Sequence, residues 1–165
     1  MGEHHIVVHP ATLADVEHMH SVINDFATKG LMLAKSRNAL YQNIRDFCVA
    51  EAVDEESGEH TFAGCGALHV LWADLGEIRS LAVPQRYQGN GVGRDLVRAL
   101  LQDATRLRLP RVFALTYQQA FFKRLGFSEV DKDMLPRKVW GECLDCPKFP
   151  NCDEIAMILD PPFTL

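Results

Sequence analysis

No run of eighteen consecutive apolar residues occurs in this 165-residue chain, so a membrane-spanning helix is excluded on length. Basic residues are in the minority. Seventeen Lys and Arg stand against 22 Asp and Glu, and the net charge of −5 argues against general binding to nucleic acid or to an anionic membrane. Any phosphate site therefore has to be local. The N-terminus carries acidic Glu3 and no long apolar segment, and position six is Ile6 rather than the Ser or Thr of an acylation signal. These absences predict a soluble, cytoplasmic protein. Cysteines number five, an odd count, which without an export signal points to reduced thiols rather than a disulfide framework. Repeats and low-complexity tracts are lacking too. What is present, 47% hydrophobic residues over about one domain's length, can fill a single core, and residues 1–165 are read as one domain.

The most informative stretch is 77–100. Residues 77–83 alternate polar and apolar as a half-buried strand does, and Pro84 cannot continue its ladder. Beyond it, 95–107 places Leu96, Val97, Leu100, Leu101 and Leu107 near helical spacing, and the link between the two contains Gly89, Gly91 and Gly93. A strand, a glycine loop and a helix N-terminus follow one another. Glycines let backbone approach a ligand closely, and the free amides and positive dipole end of a helix start suit a phosphate. A dinucleotide-binding G-x-G-x-x-G counted from Gly89 would need glycine where Arg94 stands, and no Gly-Lys-Ser/Thr follows for a P-loop. A plain turn between strand and helix is the bland alternative.

The rest of the chain reads as a mixed α/β order. A first strand, 6–9, stops at Pro10, and Thr12 to Asp15 resembles a capping box opening a helix that runs to Lys29 and ends at Gly30. Ser36 caps a second helix. Residues 47–53 and 61–72 pair across the polar turn 54–60, and 77–83 follows as a further strand. After the helix at 95–107 come a strand at 111–116, a short helix at 118–125 closed by Gly126, and strands at 127–130 and 154–159.

Gln88-Gly89-Asn90-Gly91-Val92-Gly93 resembles the Q/R-x-x-G-x-G/A pyrophosphate loop of the GNAT superfamily of acyl-CoA-dependent N-acyltransferases. That resemblance covers nearly the whole chain and implies the GNAT fold, α/β (α+β), with a mixed, mostly antiparallel sheet of about seven strands and about four helices. A narrower resemblance lies in 30–37, 46–51, 64–68, 76–83 and 112–116, which are similar to the acetyltransferase domain of N-acetylglutamate synthase, in particular its short standalone bacterial form. Longer members carry an amino-acid-kinase-like domain first. The 165 residues leave no room for one, so arginine feedback through it is not expected.

The resemblance assigns roles. Acetyl-CoA is the implied co-substrate, with Gln88, Gly89, Asn90, Gly91, Val92, Gly93 and Arg94 at its pyrophosphate, the backbone near Leu81 and Ala82 at the thioester oxygen, and Val83 toward pantetheine. Glu77, on the fourth strand, matches the base that takes the amine proton, directly or through a water; a solvated strand-edge carboxylate is the alternative. Many members place a tyrosine acid where this chain has Phe122. That aromatic is read as apolar packing near pantetheine, and Tyr117 is the nearest substitute acid in sequence, a core tyrosine otherwise. A two-carboxylate acceptor such as glutamate wants at least two cationic groups. Lys35, Arg37 and Arg79 are the candidates, each also readable as a surface charge, and strand alternation puts Arg79 on the face of Glu77. Tyr117-Gln118-Gln119 replaces a segment that carries a basic residue in longer synthases, which keeps glutamine open beside glutamate.

Cys143, Cys146 and Cys152, spaced C-x2-C-x5-C, have the form of a zinc site one ligand short, since no His follows His69; Asp153 or a partner chain would have to complete it. Free thiols are the preferred reading, with no metal expected. The expected activity is N-acetylation of a small amino acid, L-glutamate first and L-glutamine second, at the entry to arginine biosynthesis. A homodimer is compatible with this. Another amine acceptor (a polyamine, an aminoglycoside, a protein N-terminus) and a non-catalytic acyl-CoA-binding module are the alternatives.

Overall fold

A computed structural model describes residues 3–135 and 153–165. Seven strands form one sheet in the order β1-β2-β3-β4-β5-β7-β6, with β1 His4–Pro10, β2 Phe47–Asp54, β3 His60–Trp72, β4 Leu75–Ala82, β5 Val112–Thr116, β6 Ser128–Val130 and β7 Ile155–Leu159. Among the described residues four α-helices accompany it: α1 Val16–Thr28, α2 Arg37–Gln42, α3 Val92–Arg106 and α4 Gln119–Arg124. The expected order of elements is the observed one. Residues 136–152, with Cys143, Cys146 and Cys152, lie outside the described residues.

Local chemistry places the ends. The Asp15 carboxylate accepts from the Thr12 N–H at 2.8 Å, and the turn it closes, Leu13–Asp15, is 3-10 and leads into α1. At the other end Gly30 takes φ +71, and the Leu31 N–H donates to the Phe26 carbonyl, the wrap-back that ends a helix on a left-handed residue. Ser36 Oγ accepts from the Ala39 N–H at 3.1 Å and starts α2. One expectation moves. Helix α3 begins at Val92, not Asp95, because Gly91 is its N-cap and Gly93 lies in its first turn; apolar spacing becomes visible only from Leu96.

Two cores sandwich the sheet. Leu96, Val97, Leu100 and Leu101 of α3, all essentially inaccessible, pack with Leu68, Ile78, Phe122 and Phe127 on one face. On the other, Val16, Met19 and Ile23 of α1 and Leu40 of α2 meet Phe47, Val49, Cys65 and Ala67. Each large side chain so buried stabilises the fold by about 1.5–3 kcal/mol relative to exposure. Every neighbouring pair of strands is antiparallel except β4 and β5, which run parallel and pair only at Gly76–Val112 and Glu77–Phe113. Beyond those two pairs the strands part, and the sheet has a fork in its middle.

Candidate active site

The fork opens into a cavity of about 1010 Å³, walled by the tail of β4, the glycine loop, the end of β5 and α4. Its volume is at the upper end of ordinary ligand pockets, large enough for an extended ligand.

The β4 wall is irregular. Ala67 pairs with Arg79 and Cys65 with Ala82, so three steps along β4 face two along β3, a β-bulge around Ser80 and Leu81. Ser80 has φ +55, a left-handed conformation that costs a non-glycine residue about 1–2 kcal/mol. The extra residue interrupts the ladder just where the strand borders the cavity, so backbone polar groups near Leu81 and Ala82 are released from regular pairing. β3 makes room for it with glycine: a Cβ on Gly66 would sit 3.0 Å from Leu81 Cδ1, and one on Gly64 3.0 Å from the Ala82 carbonyl oxygen.

The loop after β4 combines a tied-down path with open space above it. Gln88 Nε2 donates to the Val83 carbonyl at 2.9 Å and ties the loop to the strand end, while Asn90 Nδ2 reaches the Tyr87 and Gln88 carbonyls at 3.4 Å. Gly89 and Gly91 take φ +82 and +79, and a Cβ on either would meet nothing within 4 Å. These two glycines set the turn and leave open space above it. No side chain caps α3; the first helical bond is donated by Asp95 to Gly91, so the amides of Val92, Gly93 and Arg94 face outward at the positive end of a fifteen-residue helix. The third glycine does a different job: a Cβ on Gly93 would lie 3.2 Å from Phe121 Cζ, where α3 packs on α4.

At the base of the fork lies a polar cluster, of which Arg79 lines the cavity while Lys35 borders a smaller one beside it. Glu77 is 8% exposed, on the last residue pair before the strands part, and Arg79 Nη1 stands 3.6 Å from its Oε1. Burial raises the Glu77 carboxyl to about 7, against the opposing pull of Arg79, His69 and Lys35. Desolvation outweighs the pull of these neighbours. Lys35, between α1 and α2, is lowered to about 8 by burial and by Arg79. A carboxyl that exchanges its proton near neutrality therefore sits beside Arg79 and Lys35, an arrangement able to accept a proton next to a bound anion.

The structure brings Glu77, Arg79 and Lys35 together and leaves Arg37 apart. Its guanidinium makes a two-pronged contact with Glu17 of α1 at 2.9 and 3.1 Å, on the outside of the molecule. Tyr117 and Phe122 both line the cavity; the Tyr117 hydroxyl donates to Asp153 Oδ1 at 2.6 Å, and Phe122 packs edge-on against Phe121 and Phe127. Leu81, Val83, Gln88 and Arg94 are at the cavity wall as well. Three features escape the sequence. The bulge has one faint sign, the Gly64-x-Gly66 spacing opposite it. Asn24, which grips the Lys35 backbone, and the His69–Asp46 pair beside Glu77 have none, because their contacts join residues far apart in the chain. Among the described residues no group of three or more His, Cys, Asp or Glu side chains is arranged to hold a metal ion.

A mixed sheet forked between two parallel strands, with a glycine loop and an uncapped helix start at the fork and a buried carboxyl at its base, defines an N-acyltransferase architecture. The model of the acetyltransferase (GNAT) family matches residues 18–127, and the chain belongs to that family. It is 41% identical over 136 residues to an amino-acid acetyltransferase of Mycobacterium tuberculosis, covering 82% of this chain and 76% of that one. An uncharacterized N-acetyltransferase of Chlorobaculum tepidum is 37% identical over 92% of this chain and 94% of its own. Among solved structures, a Mycobacterium tuberculosis protein in complex with CoA superposes with a TM-score of 0.80 at 38% identity, over 93% of this chain and 98% of that one. N-acetylglutamate synthase of Neisseria gonorrhoeae, complexed with coenzyme A and N-acetyl-glutamate, gives 0.79 at 26% identity over 96% of this chain but only 35% of its own. No described helix is long and apolar enough to cross a membrane.

Proposed function

We propose that this GNAT enzyme acetylates the α-amino group of L-glutamate from acetyl-CoA, in the cytoplasm and as the first step of arginine biosynthesis, with L-glutamine the second acceptor. One observation carries the choice of acceptor: Arg79 and Lys35 converge on the buried Glu77. Two cationic groups beside the base suit an acceptor whose carboxylates flank its amine, and a polyamine or aminoglycoside would be repelled there. The relatives named as amino-acid acetyltransferases and the neighbour bound to N-acetyl-glutamate support the same class.

In this mechanism the amides of Val92, Gly93 and Arg94 hold the pyrophosphate at the left-handed Gly89 and Gly91, where no side chain intrudes. Backbone donors near Leu81 and Ala82 hold the thioester oxygen and stabilise the charge it gains on attack. Val83 and Phe122 line the path between. Glu77 takes the proton that the amine gives up, and at about 7 it is ionised enough to accept and basic enough to drive transfer. Tyr117, at the end of β5, is the candidate to protonate the departing thiolate, its hydroxyl held by Asp153. Lys35 and Arg79 fix the acceptor carboxylates, so the amine approaches from the Glu77 side.

Measuring thiol release from acetyl-CoA against the twenty amino acids tests this directly. Turnover with glutamate or glutamine and none with cationic amines is expected; turnover confined to a cationic amine would overturn the assignment.

A further inference from the structure

Each cycle releases one proton. The acceptor enters as an ammonium, loses two protons to become an amide, and the thiolate takes one, so one remains for the solvent. With the acceptor seated in the fork, Glu77 is cut off from bulk water, its side chain already only 10% exposed. A way out of the closed site is needed.

His69 supplies one. It lies directly opposite Glu77 in the antiparallel β3–β4 register, a position that places the two Cβ atoms about 4.5–5.5 Å apart on the same face of the sheet. Its Nδ1 contacts Asp46 Oδ2 at 2.7 Å, from the 3-10 turn Ile44–Asp46 that joins α2 to β2. Both side chains are 29% exposed, so the series from Glu77 through His69 to Asp46 runs outward. Asp46 also borders a cavity of about 20 Å³, room for one water, shared with Lys35 and Arg79.

We propose that His69, held by Asp46, is the relay that returns the Glu77 proton to solvent. The inference rests on Glu77 being the base. His69 takes the proton at Nε2, directly or through one water, while Asp46 holds the Nδ1–H and stabilises the imidazolium; the ring then gives one proton to solvent. Other charged groups near Glu77 are Arg79 on β4, Lys35 after α1 and Glu154 before β7. Arg79 and Lys35 are committed to the acceptor, and Glu154 is an anion.

The test is His69→Gln, which roughly keeps the volume and removes the imidazole. Expected is a fall in kcat of about tenfold with unchanged KM for acetyl-CoA and an unchanged melting temperature, restored by raising the concentration of imidazole buffer. Asp46→Asn should lower kcat less and respond to the same buffer. Parent-like kcat in His69→Gln, or a loss that no buffer restores, overturns the relay. Glu77→Gln separates the two ideas: if it alone is slow, the base stands and the relay falls, and if it is as fast as the parent, the base itself is wrong.

Discussion

Asn24 holds Lys35 by both of its backbone groups: Oδ1 accepts from the Lys35 N–H at 3.1 Å, and Nδ2 donates to the Lys35 carbonyl at 2.8 Å. The same Nδ2 also donates to the His20 carbonyl one helical turn back at 2.8 Å. Asparagine is a weak helix former, so its place inside α1 is better explained by this grip than by helix stability. It ties the 30–35 segment to α1 and sets where the Lys35 ammonium begins.

Asn24→Ala should therefore raise KM for the acceptor about tenfold while leaving kcat and KM for acetyl-CoA near the parent values. A cycle with Lys35→Ala checks the route. If Asn24 acts through Lys35, the double variant is no worse in acceptor KM than Lys35→Ala alone. Additive losses would mean that the asparagine serves the fold and not the site.

Much of this architecture was legible because local chemistry wrote it. Ser36, Gly30 and Pro84 each mark an element end that the structure has, and the alternation of β4 correctly sets Glu77 beside Arg79. The alternation fails one residue later. The Ser80 bulge breaks the period of two, and nothing in Ser-Leu-Ala announces a left-handed serine; the reason lies across the ladder, at Gly64 and Gly66. Arg37 is the complementary case. Its spacing after Lys35 brings it near in sequence, yet helix α2 turns it toward Glu17. Sequence proximity does not decide direction, and pairs such as Asn24 with Lys35 or His69 with Asp46 exist only once the chain has folded.

The glycine loop can be tested without disturbing the fold. Gly91 has φ +79 and ψ 6, a region aspartate tolerates better than most residues, and a Cβ there meets nothing within 4 Å. Gly91→Asp should fold, with a melting temperature a few degrees below the parent's, because a left-handed aspartate still costs about 1–2 kcal/mol. It places a carboxylate where the α3 amides converge, so titration calorimetry should show coenzyme A binding lost or weakened by at least a hundredfold. A folded variant with parent affinity would remove the pyrophosphate assignment.

The bulge yields a second structural test. Gly66→Val puts a branched side chain where even a Cβ lies 3.0 Å from Leu81 Cδ1 and 3.3 Å from Leu100 Cδ1. Overpacking of this kind costs about 1–3 kcal/mol, read as a lower midpoint in denaturant. Because the strain is directed at Leu81, kcat should fall more than coenzyme A affinity does. Equal loss of both would detach the bulge from the thioester step.

The last prediction is a pH window. The proposed mechanism needs Glu77 ionised and Lys35 charged, and these groups sit at about 7 and about 8. The profile of kcat/KM for the acceptor should rise through about 7, as the base loses its proton, and fall through about 8, as Lys35 loses its charge. Glu77→Gln should lower kcat by about two to four orders of magnitude and abolish the rising limb, with acetyl-CoA affinity kept. Lys35→Arg should keep activity in part and move the falling limb upward, since a guanidinium does not titrate there. Arg79→Ala should raise acceptor KM and keep the rising limb but shift it to higher pH, because a cation that favours ionised Glu77 is gone. Stability should follow with the opposite sign. The folded state holds the Glu77 proton up to about 7 whereas the unfolded chain releases it at the ordinary 4.5, so this group's contribution is full below 4.5 and is lost as pH rises through 7. Melting temperature should thus decline across that interval in the parent and decline less in Glu77→Gln. A parent rate profile flat from pH 6 to 9 would sink the assignment of Glu77 as the base and of Lys35 as the acceptor's anchor together.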